Sequence, residues 1–348
     1  MKTTFISSQA IANSNRYNLI RMQAELMKLE KEVATGRVAD AGLHLGSRAG
    51  LSVSLERDLG RLQGIIDANA LGSARLSATQ AGLESLAAQA NSLLTLTIPA
   101  SGGSVEPEIA ISKARSVLGE MTGVLNANLN GENLFAGVNT DVRPINDFFD
   151  PASPARAAME AAFLTHFGFT YDDPLAANID GADMTDFLTN VIEPMFLGAG
   201  WADWSNATDE TITARITLTE TAQASVSANI EGVRRLAMAA ATIAVFFEGP
   251  INENARGALL EHGISQAANS VAGISQVQAQ TGIIENRISA ANERLEMQIN
   301  IFQSKNSDLV EVDPYDASAR VSTLLAQIET AYTLTSRIRQ LSLVRYLP

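Results

Sequence analysis

The stretch Tyr17-Asn-Leu-Ile-Arg-Met-Gln-Ala-Glu-Leu-Met-Lys-Leu-Glu-Lys-Glu-Val33 decides how this chain folds. Leu19, Met22, Leu26, Leu29 and Val33 stand three and four residues apart, which reads as a helix over 15–35 with a narrow apolar seam. A single helix cannot bury such a seam alone. The other end of the chain, 316–347, repeats the pattern with Val321, Leu324, Ile328, Ala331, Leu334, Ile338 and Leu341. Neither seam has a partner beside it in sequence. A chain with a sticky helix at each end is made to assemble, end against end or copy against copy.

The same rhythm runs inward. Leu55, Leu59, Leu62, Ile66, Asn69, Ser73, Leu76, Gln80, Leu83, Ala87, Ala90 and Leu94 predict one helix over 51–98. Pro99-Ala-Ser-Gly-Gly-Ser-Val-Glu-Pro107 reads as a turn, and Ala110, Ala114, Val117, Met121 and Val124 as a returning helix that stops at Asn130-Gly131. Glycines at 60, 64, 72 and 82 weaken the first helix and point to close helix–helix approach. From Asn254 a seam from Leu260 to Phe302 predicts a second long helix, with Gln278, Glu285 and Asn292 as polar members that fix register. Asp313-Pro314 reads as the cap and first turn of the last helix.

Residues 138–220 break this pattern with five prolines. They are also where aromatics and acids gather: 138–210 hold ten of the nineteen aromatics, and thirteen acids against two arginines. Alternating β-branched residues predict a strand near 211–219 and another near 223–229. The expected fold class is therefore mainly α: a helical coiled-coil bundle formed by N- and C-terminal segments, with an inserted small mixed α/β domain. The expected segments are a terminal assembly helix (1–44), a long helix hairpin (45–137), the projecting insert (138–230), long C-terminal helices (231–312) and a terminal assembly helix (313–348).

A net charge of −13, with the acids massed in the middle, argues against nucleic acid as a partner, because phosphate binding needs clustered Lys and Arg. There is no cysteine, hence no thiolate or disulfide chemistry. The first seventeen residues have no continuous apolar core, so no cleaved signal peptide is expected. The twelve-residue run Leu236–Phe247 is too short to span a bilayer, and no membrane insertion is expected. His44, His166 and His262 form no ligand motif, and Asp180-Gly-Ala-Asp183-Met-Thr-Asp186 lacks the order of a calcium loop and reads as a helix start at Thr185. No catalytic fingerprint is present, so no catalytic residue, metal or cofactor is expected. Trp201 and Trp204 read as core of the insert, with an exposed binding edge as the alternative.

Three motifs carry a resemblance. Asn130-Gly131-Glu-Asn-Leu134-Phe135-Ala-Gly137-Val-Asn-Thr140 is similar to the turn through which members of the flagellin superfamily leave their first helix pair. Lys31-Glu-Val-Ala-Thr-Gly36-Arg37-Val38 resembles the end of that family's first helix. The tail, from Val312-Asp313-Pro-Tyr315 through Tyr332 to Leu341-Ser-Leu-Val-Arg-Tyr346-Leu347, is similar to that of the hook–filament junction branch, hook-associated protein 3, in an alphaproteobacterial variant. The family usually has an Asp-Asp pair after Gly36-Arg37-Val38, where this chain has Ala39-Asp40.

The resemblance implies a structural adaptor of the bacterial flagellum, exported unfolded without a cleaved leader and located at the hook–filament junction. Its implied assembly interface is Leu19, Met22, Leu26, Leu29, Val33, Leu324, Ile328, Tyr332, Ile338, Leu341 and Tyr346. Its implied partners are hook-associated protein 1, flagellin, copies of itself in a ring, and an export chaperone on the C-terminal helix. A filament-forming flagellin is the competing reading within the family. A secreted coiled-coil binding module, or an enzyme sited in the insert, lies outside it.

Overall fold

The computed structural model describes residues 8–101 and 107–344. The chain divides into two compact units, Met1–Gln63 with Glu296–Pro348, and Gly64–Leu295.

In the first unit, α1 (Ser8–Thr35) ends at Gly36, whose φ of +67° is the left-handed turn a glycine closes without strain. The short α2 (Ala41–Leu45) follows. Asp40 caps it by accepting from the Leu43 amide at 3.0 Å, which is what the altered loop after Val38 does here. The long helix α3 (Ala49–Ser101) starts in this unit, and α9 (Glu253–Val310) ends in it. The last helix, α10 (Pro314–Val344), begins where Asp313 Oδ1 accepts from the Tyr315 amide at 2.9 Å, as the Asp-Pro pair predicts.

The heptad reading of α3 and α9 holds with a regular asymmetry. Leu55, Leu62, Asn69, Leu76, Leu83 and Ala90 are buried, while the alternate members Leu59, Ile66, Ser73, Gln80, Ala87 and Leu94 are half-buried. On α9, Ile274, Thr281, Ile288 and Leu295 are buried and Gln278, Glu285 and Asn292 half-buried. Two polar seam members meet: Asn69 Nδ2 donates to Asn292 Oδ1 at 2.7 Å. Gln80 donates to the Gln278 carbonyl at 2.8 Å, so the two helices run antiparallel in fixed register. The turn expected from Pro99 does not begin there, because α3 continues to Ser101; residues 102–106 lie outside the described residues.

In the second unit, α4 (Pro107–Leu125) stops five residues before Asn130. The chain then makes a tight hairpin, β1 (Asn128–Leu129) and β2 (Glu132–Asn133), rather than a plain helix end. The segment that follows is more helical than its prolines suggest, with α5 (Pro154–Phe167), α6 (Gly181–Phe187) and α7 (Glu193–Leu197). A π-helical turn over Leu188–Ile192 joins α6 to α7. Asp180 caps α6 through the Asp183 amide, so this helix starts at Gly181 and not at Thr185. The strands are shorter than expected. β3 (Thr213–Arg215) falls inside 211–219, but its partner β4 (Thr221–Gln223) meets the expected 223–229 only at Gln223. Thr217 Oγ1 accepts from the Glu220 amide at 3.1 Å and turns the chain early.

The apolar run Leu236–Phe247 is mostly α8 (Glu231–Phe246), buried on every side from Leu236 onward. It is the centre of this unit, not one face of a helix. Phe246 meets Phe163 and Phe187 at ring separations of 5.2 and 5.5 Å. Trp201 and Trp204 stack at 5.7 Å, both buried, and Trp204 stacks on Phe148 at 4.8 Å. They are core, as expected. One continuous core joins these aromatics to α4, α8 and parts of α3 and α9. No helix among the described residues is long and apolar enough to cross a membrane.

Candidate assembly interface

The two sticky ends meet within one chain. Gly36 and Val38 form an antiparallel connection with the end of α9: Val38 N donates to Val310 O at 2.9 Å, and Val312 N to Gly36 O at 3.0 Å. The last turn of α1 and the first of α10 are thereby pinned together, and the two helices run back antiparallel in contact. Lys31 Nζ donates to the Ala39 carbonyl and Glu32 accepts from the Ala39 amide, which holds the corner.

The seam residues are not equivalent. Leu19, Leu29 and Ile328 are buried. Met22, Leu26 and Leu324 are half-buried. Val33 is exposed and lines an open groove of about 300 Å³ with Val321 and the small residues Ala34, Ser318 and Ser322. Tyr332 is half-exposed, yet its hydroxyl accepts from Gln23 Nε2 at 2.9 Å. Ile338 and Leu341 are within α10, but their side chains, and all of Tyr346, lie outside the described residues.

Pairing covers only one face of each helix. Tyr17, Ile20 and Met27 on α1 stay exposed, Tyr17 by 75% and Met27 by 66%, as do Leu325 and Leu334 on α10. Residues 17, 20 and 27 share one side of α1, spaced three and seven apart. The strict 3-4 series reads as a single seam and hides this second stripe; Ile20 and Met27 each sit one position after a seam residue and are the available signal.

The family turn motif is built in the second unit. Asn130 (φ +54°) and Gly131 (φ +88°) form the two-residue turn of the β1–β2 hairpin, both in the left-handed region that Asn-Gly favours. Leu134 and Phe135 are buried. The Phe135 ring lies so close to Gly82 that a Cβ there would come within 2.8 Å of it. Gly82 is thus a glycine of α3 that a close approach requires, whereas a Cβ at Gly60, Gly64 or Gly72 would meet nothing within 4 Å. Gly137 has φ +70°, and a Cβ there would collide with the carbonyl oxygens of Thr208 and Glu210. Arg75 of α3 reaches the turn, donating to Glu132 Oε2 at 2.8 Å and to the Asn133 carbonyl at 2.7 Å. The motif therefore anchors the chain around Gly137 to α3.

One part-buried polar cluster lies elsewhere in this unit. His262 Nε2 is 3.2 Å from Glu193 Oε1, and Gln266 donates to the same oxygen at 2.8 Å. Arg235 donates to Gln266 at 2.6 Å. Burial holds the His262 imidazole below its usual pKa, against the opposing hydrogen bond to Glu193. Sequence spacing gave no sign of this cluster, whose members come from α7, α8 and α9.

With this geometry in place, two family models match the chain. The bacterial flagellin N-terminal helical region matches residues 6–140, and the bacterial flagellin C-terminal helical region matches 264–347, together more than half of the sequence. Among solved structures, one assigned as a flagellar hook-associated protein of Vibrio parahaemolyticus is similar over 76% of this chain and 97% of its own, with a TM-score of 0.53 and 12% identity. FlgL of Bacillus cereus is similar over 73% and 99%, with a TM-score of 0.48 and 12% identity. At such identity the first of these speaks to fold alone. No curated protein matches the chain at a comparable level.

Proposed function

This chain belongs to the flagellin superfamily and is a structural component of the bacterial flagellum, and from that premise we propose that it is the subunit that joins hook to filament. The observation that carries the assembly reading is the second apolar stripe. Once α1 and α10 have buried one seam in each other, Tyr17, Ile20, Met27, Leu325 and Leu334 remain uncovered, an arrangement suited to packing against neighbouring copies around an axis. The tail from Tyr332 to Leu347 favours the junction branch over a filament-forming flagellin.

In this account the chain leaves the cell through the flagellar export channel and folds at the growing tip. The described seam residues Leu19, Met22, Leu26, Leu29, Val33, Leu324, Ile328 and Tyr332 form the inner layer, with Ile338, Leu341 and Tyr346 continuing it. Hook-associated protein 1 lies below, flagellin above and further copies alongside. An export chaperone covers the C-terminal helix before export. The turn Asn130, Gly131, Leu134, Phe135 and Gly137 sets the outer segment on its helices.

The test separates this reading from that of a flagellin. Purified chain is mixed with sheared filament fragments and followed by sedimentation. A junction subunit stays monomeric or in short assemblies, whereas a flagellin elongates the fragments. Elongation by this chain alone would overturn the junction role and leave the family intact.

A further inference from the structure

Asn130-Gly131 is the single Asn-Gly pair of the sequence, and both residues are exposed at the tip of the β1–β2 hairpin. An asparagine carboxamide is an electrophile, and the main-chain nitrogen that follows it is a nucleophile within reach. Two things ordinarily keep them apart: a hydrogen bond that holds one of them, or a side chain on the next residue that blocks the approach. Neither operates here. Among the described residues, neither the Asn130 carboxamide nor the Gly131 amide has a hydrogen-bond partner. Gly131 carries no side chain, and even a Cβ there would meet nothing within 4 Å. The backbone is also favourably set. Asn130 has φ +54°, and a positive φ at this position belongs to both type I′ and type II′ turns. Rotating the peptide plane between the two residues swings the Gly131 nitrogen about Asn130, and glycine accepts φ of either sign while this happens.

We propose that Asn130 is a site of spontaneous modification, at which the Gly131 nitrogen closes a succinimide ring that water opens to aspartate and isoaspartate. The deprotonated Gly131 nitrogen attacks Asn130 Cγ. A new N–Cγ bond forms, the carboxamide C–N bond breaks, and ammonia leaves. Water then cleaves one of the two ring bonds to the Gly131 nitrogen. Cleavage at Cγ restores the main chain with an aspartate side chain. Cleavage at the main-chain carbonyl carbon leaves isoaspartate, whose backbone runs through Cβ and Cγ. Nothing is oxidised or reduced. Either product adds a negative charge beside Glu132, whose carboxylate holds Arg75. Isoaspartate also lengthens the loop by one backbone atom. The two-residue turn that sets Leu129 opposite Glu132 is then lost, and Glu132 and the Asn133 carbonyl are drawn off Arg75.

Similar dipeptides elsewhere are held. Asn13, Asn91, Asn269 and Asn306 each precede a serine, but all lie inside α1, α3 or α9, where the following amide is committed to the helix ladder. Asp180-Gly181 could close the same ring with loss of water. Its carboxylate, however, accepts from the Asp183 amide at 2.8 Å, and a Cβ at Gly181 would lie 3.1 Å from the Asn254 carbonyl oxygen. The inference is independent of the junction reading, since it needs only the hairpin.

The test uses the purified, unsubstituted chain, kept in mildly alkaline buffer with and without urea. Peptide mass spectrometry follows the mass gain of amide-to-acid hydrolysis at each asparagine, and an isoaspartyl methyltransferase labels isoaspartate. In the folded chain Asn130 should convert at least tenfold faster than Asn13, Asn91, Asn269 or Asn306, and less than tenfold slower than it does in urea. The converted chain should melt at a lower temperature than fresh chain. Asn130 intact in buffer while it converts in urea would show that the fold protects the turn, and would overturn the proposal. Conversion of the helical asparagines at the same pace as Asn130 would also overturn it. In Asn130→Gln the longer side chain no longer closes this ring, so the methyltransferase signal should fall at least tenfold; an undiminished signal would place the reaction elsewhere and contradict the assignment.

Discussion

Gln23 donates from Nε2 to the phenol oxygen of Tyr332 at 2.9 Å, across 309 residues of sequence. It marks where the two ends of the chain become one antiparallel pair, beside the buried Leu19, Leu29 and Ile328. Replacing Leu29 with Asp removes a buried side chain and strands a carboxylate in the seam. The expected cost is about 3 kcal/mol or more, with incorporation into flagella lost. Leu26→Asp, at a half-buried site, acts in the same direction. Tyr332→Phe removes one half-exposed hydrogen bond and should cost no more than about 1 kcal/mol. Motility and thermal unfolding of the three variants check the ranking.

The two glycines of the turn motif separate backbone strain from crowding. Gly131 and Gly137 both have positive φ, but a Cβ at Gly131 meets nothing, while at Gly137 it collides with Thr208. Gly131→Ala should cost about 1–2 kcal/mol. Gly137→Ala should cost about 2–4 kcal/mol, because overpacking adds to the strain. Thermal melts followed by circular dichroism give the two differences directly.

His262 makes stability depend on pH. Its folded-state pKa lies below the ordinary value of 6.5, chiefly through burial. The unfolded chain therefore takes up the proton first as pH falls. Stability is at its full value above about pH 6.5 and declines below it, levelling off once the folded state also protonates. His262→Gln should remove this part of the acid dependence, which urea titrations at pH 5 and pH 7.5 would reveal as a smaller difference between the two.

Asp172 is an exposed carboxylate in the turn that follows α5. Asp172→Ala should change stability by less than about 0.5 kcal/mol and leave motility unchanged in soft agar.

Much of this fold was legible because period is a backbone property. The seams of α3 and α9, the Asp313-Pro314 start and the Asn130-Gly131 turn each depend on residues within a few positions of one another. What the sequence concealed depends on residues far apart. Gly82 looks like any weak point in a helix until Phe135, 53 positions later, is seen against it. The sharing of one core by Phe163, Phe187 and Phe246 required the path of α8. The Glu193–Gln266–His262 cluster joins helices that no spacing rule connects. On α1, periodicity marks one seam where the folded helix has two apolar faces, since burial of the first is what leaves Tyr17, Ile20 and Met27 uncovered.

The central claim is tested most directly by electron microscopy of cells lacking this gene, with flagellin assayed in the medium. The account predicts hooks without filaments, and flagellin shed outside the cell. Filaments of normal length on every hook would contradict it.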